Sequence, residues 1–296
     1  MENTKKNSEP TSYLQGETDR ATFYGYTCIG GRTEDQDYMA HEEINGNEIF
    51  LVCDGMGGHA GGCVASETAA MTLLETFRGQ TEVLPAEEAV AMAVKAANEA
   101  VYKKSQDEAS LRGMGTTLTL LLIDGNAAYV THVGDSRIYQ LRQGRKVFRT
   151  FDHSLVFEHV ARDESFLHSL RQKFQHHDDK QYLTEEEARV HPRANVLSKA
   201  IGILPDIETE VTKLEYRTGD RFVLCCDGVW NTRPEGEVIS MFTAHDELET
   251  TVKSVQSIVE KLGEEKGGQH DNHTMVAVDM KCNSAYRKSL LHRLFS

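Results

Sequence analysis

Asn45-Gly46 lies between two strand-like stretches, "DYMAHEEI" and "NEIFLVC". Both residue types accept positive φ at low cost, so the flanking stretches must fold back as a tight hairpin. Asp124-Gly125-Asn126 joins "GTTLTLLLI" to "AAYVTHVGDSRIYQLRQG" in the same way. Hairpins dictate antiparallel sheets. Between them, "CVASETAAMTLLETF" and "AEEAVAMAVKAANEAVYKK" repeat alanine, leucine and valine at three- and four-residue spacing, which predicts two amphipathic helices. "TFYGYTCI", "GDRFVLCCDGVW" and "HTMVAVDM" read as further strands, with helices expected around Pro234–Phe242 and Glu247–Leu262. Runs of strands interleaved with helix pairs do not give the βαβ alternation of a parallel sheet. They predict antiparallel sheets with helices packed outside.

The strand "IFLVC" runs into "DGMGGHAGG", an aspartate at the mouth of a glycine-rich turn. Three readings compete. Asp-Gly can be turn chemistry alone. Gly55-Met-Gly57-Gly-His-Ala60 also fits a dinucleotide loop, with Glu75 twenty residues beyond Gly55. But Asp54 would repel a pyrophosphate, and Glu75 sits in a helical run, not at the end of a second strand. The third reading is a metal site, with the strand aiming Asp54 at a divalent cation. The chain repeats the pattern: "FVLCCDGVW" ends a second apolar run at Asp227, Asp271 precedes "HTMVAV", and Asp135 sits between two strands in "VGDSR". Lone carboxylates at strand ends, gathered by packed sheets, make an oxygen-rich site suited to Mg²⁺ or Mn²⁺.

Composition narrows the function classes. The 296 residues carry 32 basic and 46 acidic side chains, a net charge of −14, against the basic footprint of a nucleic-acid binder. No apolar run approaches the roughly 20 residues that span a bilayer. Residues 1–20 are polar, lack the apolar core of a signal peptide, and are expected to form a flexible tail on a cytoplasmic protein. Cys28, Cys53, Cys63, Cys225, Cys226 and Cys282 form no C-x-x-C pair, which argues against a structural zinc site.

"GGRTEDQD", "VCDGMGGHAGG", "GMGTTL", "VGDSR", "DHS", "HPRANVLSKAIG", "CCDGVWN" and "HDNHT" occur in this order between Phe23 and Asp279. Together they resemble the metal-dependent protein phosphatases (PPM, the type 2C class), and their spellings look like the bacterial branch. The resemblance implies an α+β fold, a four-layer α-β-β-α sandwich of two antiparallel sheets flanked by helices. It implies hydrolysis of phosphoserine and phosphothreonine, with a Hanks-type kinase and its substrates as partners, by a monomer with neither nucleic acid nor a membrane as partner. Carried over residue by residue, Asp54 bridges two Mn²⁺ or Mg²⁺ ions, Gly55 offers its carbonyl, and Asp227 and Asp271 hold the second ion. Asp135 helps hold a weaker third. The ions activate a bridging water, around which the glycines are expected to clear space. Arg32 grips the phosphate, Asp37 orients metal-bound water, and Gln36 contacts such a water. His59 is the candidate proton donor to the leaving alkoxide, with His153 and a metal-bound water as rivals.

The chain also departs from the family pattern. Asn231 stands where relatives carry an aspartate for the third ion; helix N-capping ahead of Pro234 is its other reading. The flap at about 155–192 is longer than usual, and residues 282–296 read as a basic amphipathic tail behind a phosphatase domain spanning 21–281. Two alternatives stay open: a non-catalytic phosphoprotein-binding member, and a metal-dependent phosphodiesterase or nuclease.

Overall fold

The computed structural model describes residues 11–58, 61–80, 83–157 and 184–281. In chain order the strands are β1 (Thr11–Glu17), β2 (Ala21–Cys28), β3 (Asp37–Ile44), β4 (Asn47–Met56), β5 (Gly115–Thr116), β6 (Leu118–Asp124), β7 (Ala127–Val133), β8 (Arg137–Arg142), β9 (Arg145–Arg149), β10 (Thr212–Glu215), β11 (Arg221–Cys225) and β12 (His273–Met280). The helices are α1 (Gly61–Gln80), α2 (Ala86–Asp107), α3 (Glu185–Arg189), α4 (Asp227–Trp230), α5 (Glu235–Phe242) and α6 (Leu248–Glu265).

Two six-stranded sheets result. One runs β1-β2-β12-β11-β8-β9; the other runs β10-β7-β6-β4-β3, with β5 paired to β4. The strand pairs are antiparallel. The period-two alternation of side chains sorts the apolar residues into layers. In β4, Ile49, Leu51 and Cys53 pack toward α1 and α2, while Phe50 and Val52 pack between the sheets. In β12, Met275 and Ala277 meet the α6 side, while Val276, Val278 and Met280 meet the inner layer. Strands apolar on both faces need cover on both faces, and the amphipathic helices supply the outer cover. α2 buries Ala89, Val90, Ala93, Val94, Ala97 and Val101. α6 buries Leu248, Val252, Val255 and Val259. The architecture is therefore a four-layer α-β-β-α sandwich. Among the described residues, no helix is long and apolar enough to cross a membrane.

Asn45-Gly46 makes the expected hairpin, with φ of 52° and 76°, and Asn47 pairs with Ile44. Three details differ from expectation. Residues 11–17 are not tail: they pair along their whole length with β2, and Leu14 enters the inner layer at 4% exposure. "GTTLTLLLI" splits at Thr117 into β5 and β6. As expected, Asp135 lies between two strands, β7 and β8, where Gly134, at φ 97°, turns the chain at a point where a Cβ would lie 2.6 Å from Thr117 Cγ2. "DGVW" is a helical turn, α4, and not the end of a strand. Residues 1–10, the bulk of the long flap (158–183) and the tail at 282–296 lie outside the described residues.

Strand β1 yields a direct check. Leu14→Ala should destabilise the protein by ~2–4 kcal/mol, the cost of emptying a buried leucine site. A thermal melt should fall by several degrees. An unchanged melting temperature would mean that residues 11–17 behave as a tail after all.

Candidate metal centre

Each acidic side chain reaches one end of the sandwich from a different connection. Asp54 lies near the end of β4, directly opposite Asp37 of β3. Its main chain is clamped: its N–H donates to Thr117 Oγ1 (2.9 Å), and its carbonyl accepts from Thr117 N–H (2.8 Å) and Thr116 Oγ1 (2.9 Å). Asp227 opens α4 immediately after β11. Asp271 precedes β12 by two residues, and Asp135 sits in the β7–β8 turn. A cavity of about 690 Å³ is lined by Arg32, Gln36, Asp54, Asp135, Asp227 and Asp271, among others.

So many carboxylates in one partly buried space repel one another. Burial, then the charges of Asp37, Asp227, Asp135 and Asp271, pushes the Asp54 carboxyl well above its ordinary range. Burial and the neighbouring Asp227 and Asp152 raise Asp135. Asp227 is pushed up to about 6 by burial and Asp271, partly offset by the Gly228 N–H and by Arg32. The guanidinium of Arg32 meets Asp271 at 2.8 Å on the exposed rim. A surplus of hard oxygen donors in a confined space fits Mg²⁺ or Mn²⁺, whose charge would relieve the repulsion.

Asp37 stands behind Asp54, 2% exposed. Its Oδ2 accepts from Thr274 Oγ1 (2.7 Å) and Cys226 Sγ (3.3 Å). Oxygens of Asp37 and Asp54 and the Cys226 sulfur all lie within 4.8 Å of one another. Asp37 thus lies next to Asp54 and is not among the residues lining the cavity. Gln36 does reach the cavity, and its backbone carbonyl also accepts from Gly55 N–H (3.1 Å) and Ser66 Oγ (2.7 Å). Gly55 also has a packing role. A Cβ there would lie 2.1 Å from the Gly62 carbonyl oxygen and 2.6 Å from that of Gln36. The glycine lets the end of β4 touch the start of α1.

His153 is not brought to this cavity. Its Nδ1 accepts from Gly134 N–H (3.2 Å), and its ring stacks on His132 at 4.4 Å. Asn231 caps the end of α4, where its N–H donates to the Asp227 carbonyl (2.8 Å). It does not N-cap α5; Pro234 holds that position with no side-chain cap. His59 lies outside the described residues.

The sequence reading assigned no role to the residues that hold this site together. Asn272 is buried; its Nδ2 donates to the carbonyls of Ile29 (2.8 Å) and Glu34 (2.9 Å), and its Oδ1 accepts from Gln36 N–H (2.9 Å). Asp135 is fixed through its carbonyl, which accepts from Trp230 Nε1 (2.9 Å). Arg137 lies 3.3 Å from the Trp230 ring centroid and grips Asp152 through two hydrogen bonds of 2.8 and 2.7 Å. Their signal lay inside the quoted motifs "HDNHT", "GMGTTL", "VGDSR" and "DHS", but these contacts are long-range and leave no periodicity to read.

Fold and cavity together define an α-β-β-α sandwich with an acidic site at one end. Residues 24–271 match the family described as "Protein phosphatase 2C". The chain belongs to that family. It is 31% identical over 265 residues to the serine/threonine phosphatase stp of Listeria welshimeri, covering 84% of this chain and 94% of that one. It is 32% identical over 258 residues to the protein phosphatase PhpP of Streptococcus pneumoniae, covering 84% and 93%. Its fold matches the catalytic domain of the serine/threonine protein phosphatase PstP in complex with two manganese ions, with a TM-score of 0.69, 26% identity and coverage of 89% and 99%.

Removing one of the clustered charges should stabilise the metal-free protein. Asp54→Asn is expected to raise its melting temperature in chelator by ~2–4 °C, about what 1 kcal/mol gives a protein of this size. The same variant should lose most of the stabilisation that Mn²⁺ gives the wild type. An unchanged or lower melt in chelator would show that the carboxylates do not strain the empty site.

Proposed function

We propose that the chain is a Mn²⁺- or Mg²⁺-dependent protein-serine/threonine phosphatase that opposes a Hanks-type kinase. The observation that carries this is the convergence of Asp54, Asp135, Asp227 and Asp271 on one cavity, with Arg32 at its rim. Membership of the protein phosphatase 2C family and the manganese-bound relative support the reading.

In this proposal Asp54, the Gly55 carbonyl, Asp227 and Asp271 would together hold two ions. Asp135 contributes to a weaker third. When bound, the ions supply Lewis acidity and an activated water for in-line attack. The chain's own residues do the rest. The clamp on the Asp54 main chain fixes where its carboxylate points. Asp37 orients water from behind Asp54, held by Thr274 and Cys226. Arg32 presents a planar fork suited to two phosphate oxygens. Because Arg32 already contacts Asp271, it must be shared between that carboxylate and an arriving phosphate. His59, in sequence between β4 and α1, is the candidate donor of the leaving-group proton. The long flap at about 155–192 is proposed to read substrate sequence. Phosphorylated proteins are the substrates; the acidic chain suits neither nucleic acid nor an anionic membrane.

Turnover of p-nitrophenyl phosphate and of a phosphothreonine peptide should require Mn²⁺ and stop in chelator, while bis-p-nitrophenyl phosphate is spared. Preference for the diester would favour the phosphodiesterase reading, and no turnover of any of them would favour a binding protein. Arg32→Ala should raise KM for the peptide by ~10-fold or more, the cost of a charge-assisted hydrogen bond. An unchanged KM would remove Arg32 from the phosphate site.

A further inference from the structure

On the opposite face of the strand that follows Asp271, three side chains of ligand chemistry meet. Cys28 ends β2, His273 starts β12 directly across from it in the register, and Glu260 comes from the fourth turn of α6. The Cys28 sulfur, a Glu260 carboxylate oxygen and a His273 ring nitrogen all lie within 4.8 Å of one another. Cys28 Sγ donates to Glu260 Oε1 at 3.4 Å. His273 is fully buried, and its Nδ1 is 3.0 Å from the Tyr26 hydroxyl. Its Nε2 is buried with no hydrogen-bond partner.

A core histidine that merely packs would have both ring nitrogens satisfied, because an unmade buried hydrogen bond costs free energy. His273 has one of two satisfied. His270 is placed similarly: both its ring nitrogens are buried without a hydrogen-bond partner, and its ring centroid is 5.7 Å from that of His273. The His270 ring occupies space that Gly263 of α6 leaves open, since a Cβ there would lie 2.2 Å from it.

We infer that Cys28, Glu260 and His273 form a second metal site, separate from the acidic cavity, that takes a zinc-class transition ion. The donor set is the reason. A thiol, an imidazole and a carboxylate are the ligands of tetrahedral zinc, whereas the acidic cavity offers oxygens. Donors on one zinc ion sit about 3.5 Å apart, given bond lengths of about 2.0–2.3 Å. Side-chain rotations of about an ångström would therefore close the observed spacing. The Tyr26 hydroxyl can accept from Nδ1–H, which leaves the Nε2 lone pair for the ion, the usual arrangement behind a ligating histidine. Binding would release the Cys28 thiol proton to solvent. The absence of any C-x-x-C pair argued against zinc, yet here the donors come from three separate elements, which a local spacing cannot reveal.

The test is a Co²⁺ titration of the full chain in excess Mn²⁺, which fills the acidic cavity, read by the thiolate-to-cobalt charge-transfer absorption. The wild type should show a saturable band at one equivalent, displaced by Zn²⁺. Cys28→Ser should abolish it. Glu260→Gln, a change at a partly exposed helix position, should weaken Co²⁺ binding at least ~10-fold. No band in the wild type, a band that survives Cys28→Ser, or an unchanged affinity in Glu260→Gln would overturn the site. Should Cys28→Ser fail to fold, the Glu260→Gln affinity decides alone.

Discussion

Repulsion among carboxylates is the constraint around which this structure is arranged. Asp54, Asp135, Asp227 and Asp271 crowd one cavity with Asp37 behind them, and each raises the free energy of charging the next. No local element would choose this arrangement. It persists because the aspartates hang on strand ends whose positions are set elsewhere, by three apolar layers on either side of and between the sheets. The hydrophobic sandwich holds the charges together, and the proposed cations turn that tension into binding free energy.

The sheets achieve this through register. Asp37 faces Asp54 across the β3–β4 ladder because Asn45-Gly46 sets the hairpin. A one-residue slip would send Asp54 to the helix side of its sheet and Cys53 toward the inner layer. The same logic governs the second sheet, where β11 and β12 pair so that Asp227 and Asp271 leave at the same end. The hairpin turn is thus tied to the chemistry, although it lies at the far end of the strands.

Much of this was legible in the sequence, for definite physical reasons. Hairpin turns, apolar runs and helical periodicity are local, so the sandwich and its helices could be read directly. The carboxylates were legible because Asp-Gly after an apolar run recurs. Strand β1 was not, since "TSYLQGE" is polar and its one deep anchor is Leu14. Gly55 was recognised, but its contact between the ends of β4 and α1 is one that no spacing displays. Asn272, Thr116 and Thr117 act through hydrogen bonds to residues far away in sequence.

Asn272 has a consequence beyond holding a loop. By bonding Ile29, Glu34 and Gln36 from a position next to Asp271, it makes the segment carrying Arg32 and the strand carrying Asp271 one rigid piece. A phosphate entering between the proposed metals and Arg32 therefore meets groups whose relative positions were settled when the chain folded. The entropy of assembling that constellation is lost during folding, not at each encounter with substrate. More of the contact energy then remains for discriminating the transition state from the ground state.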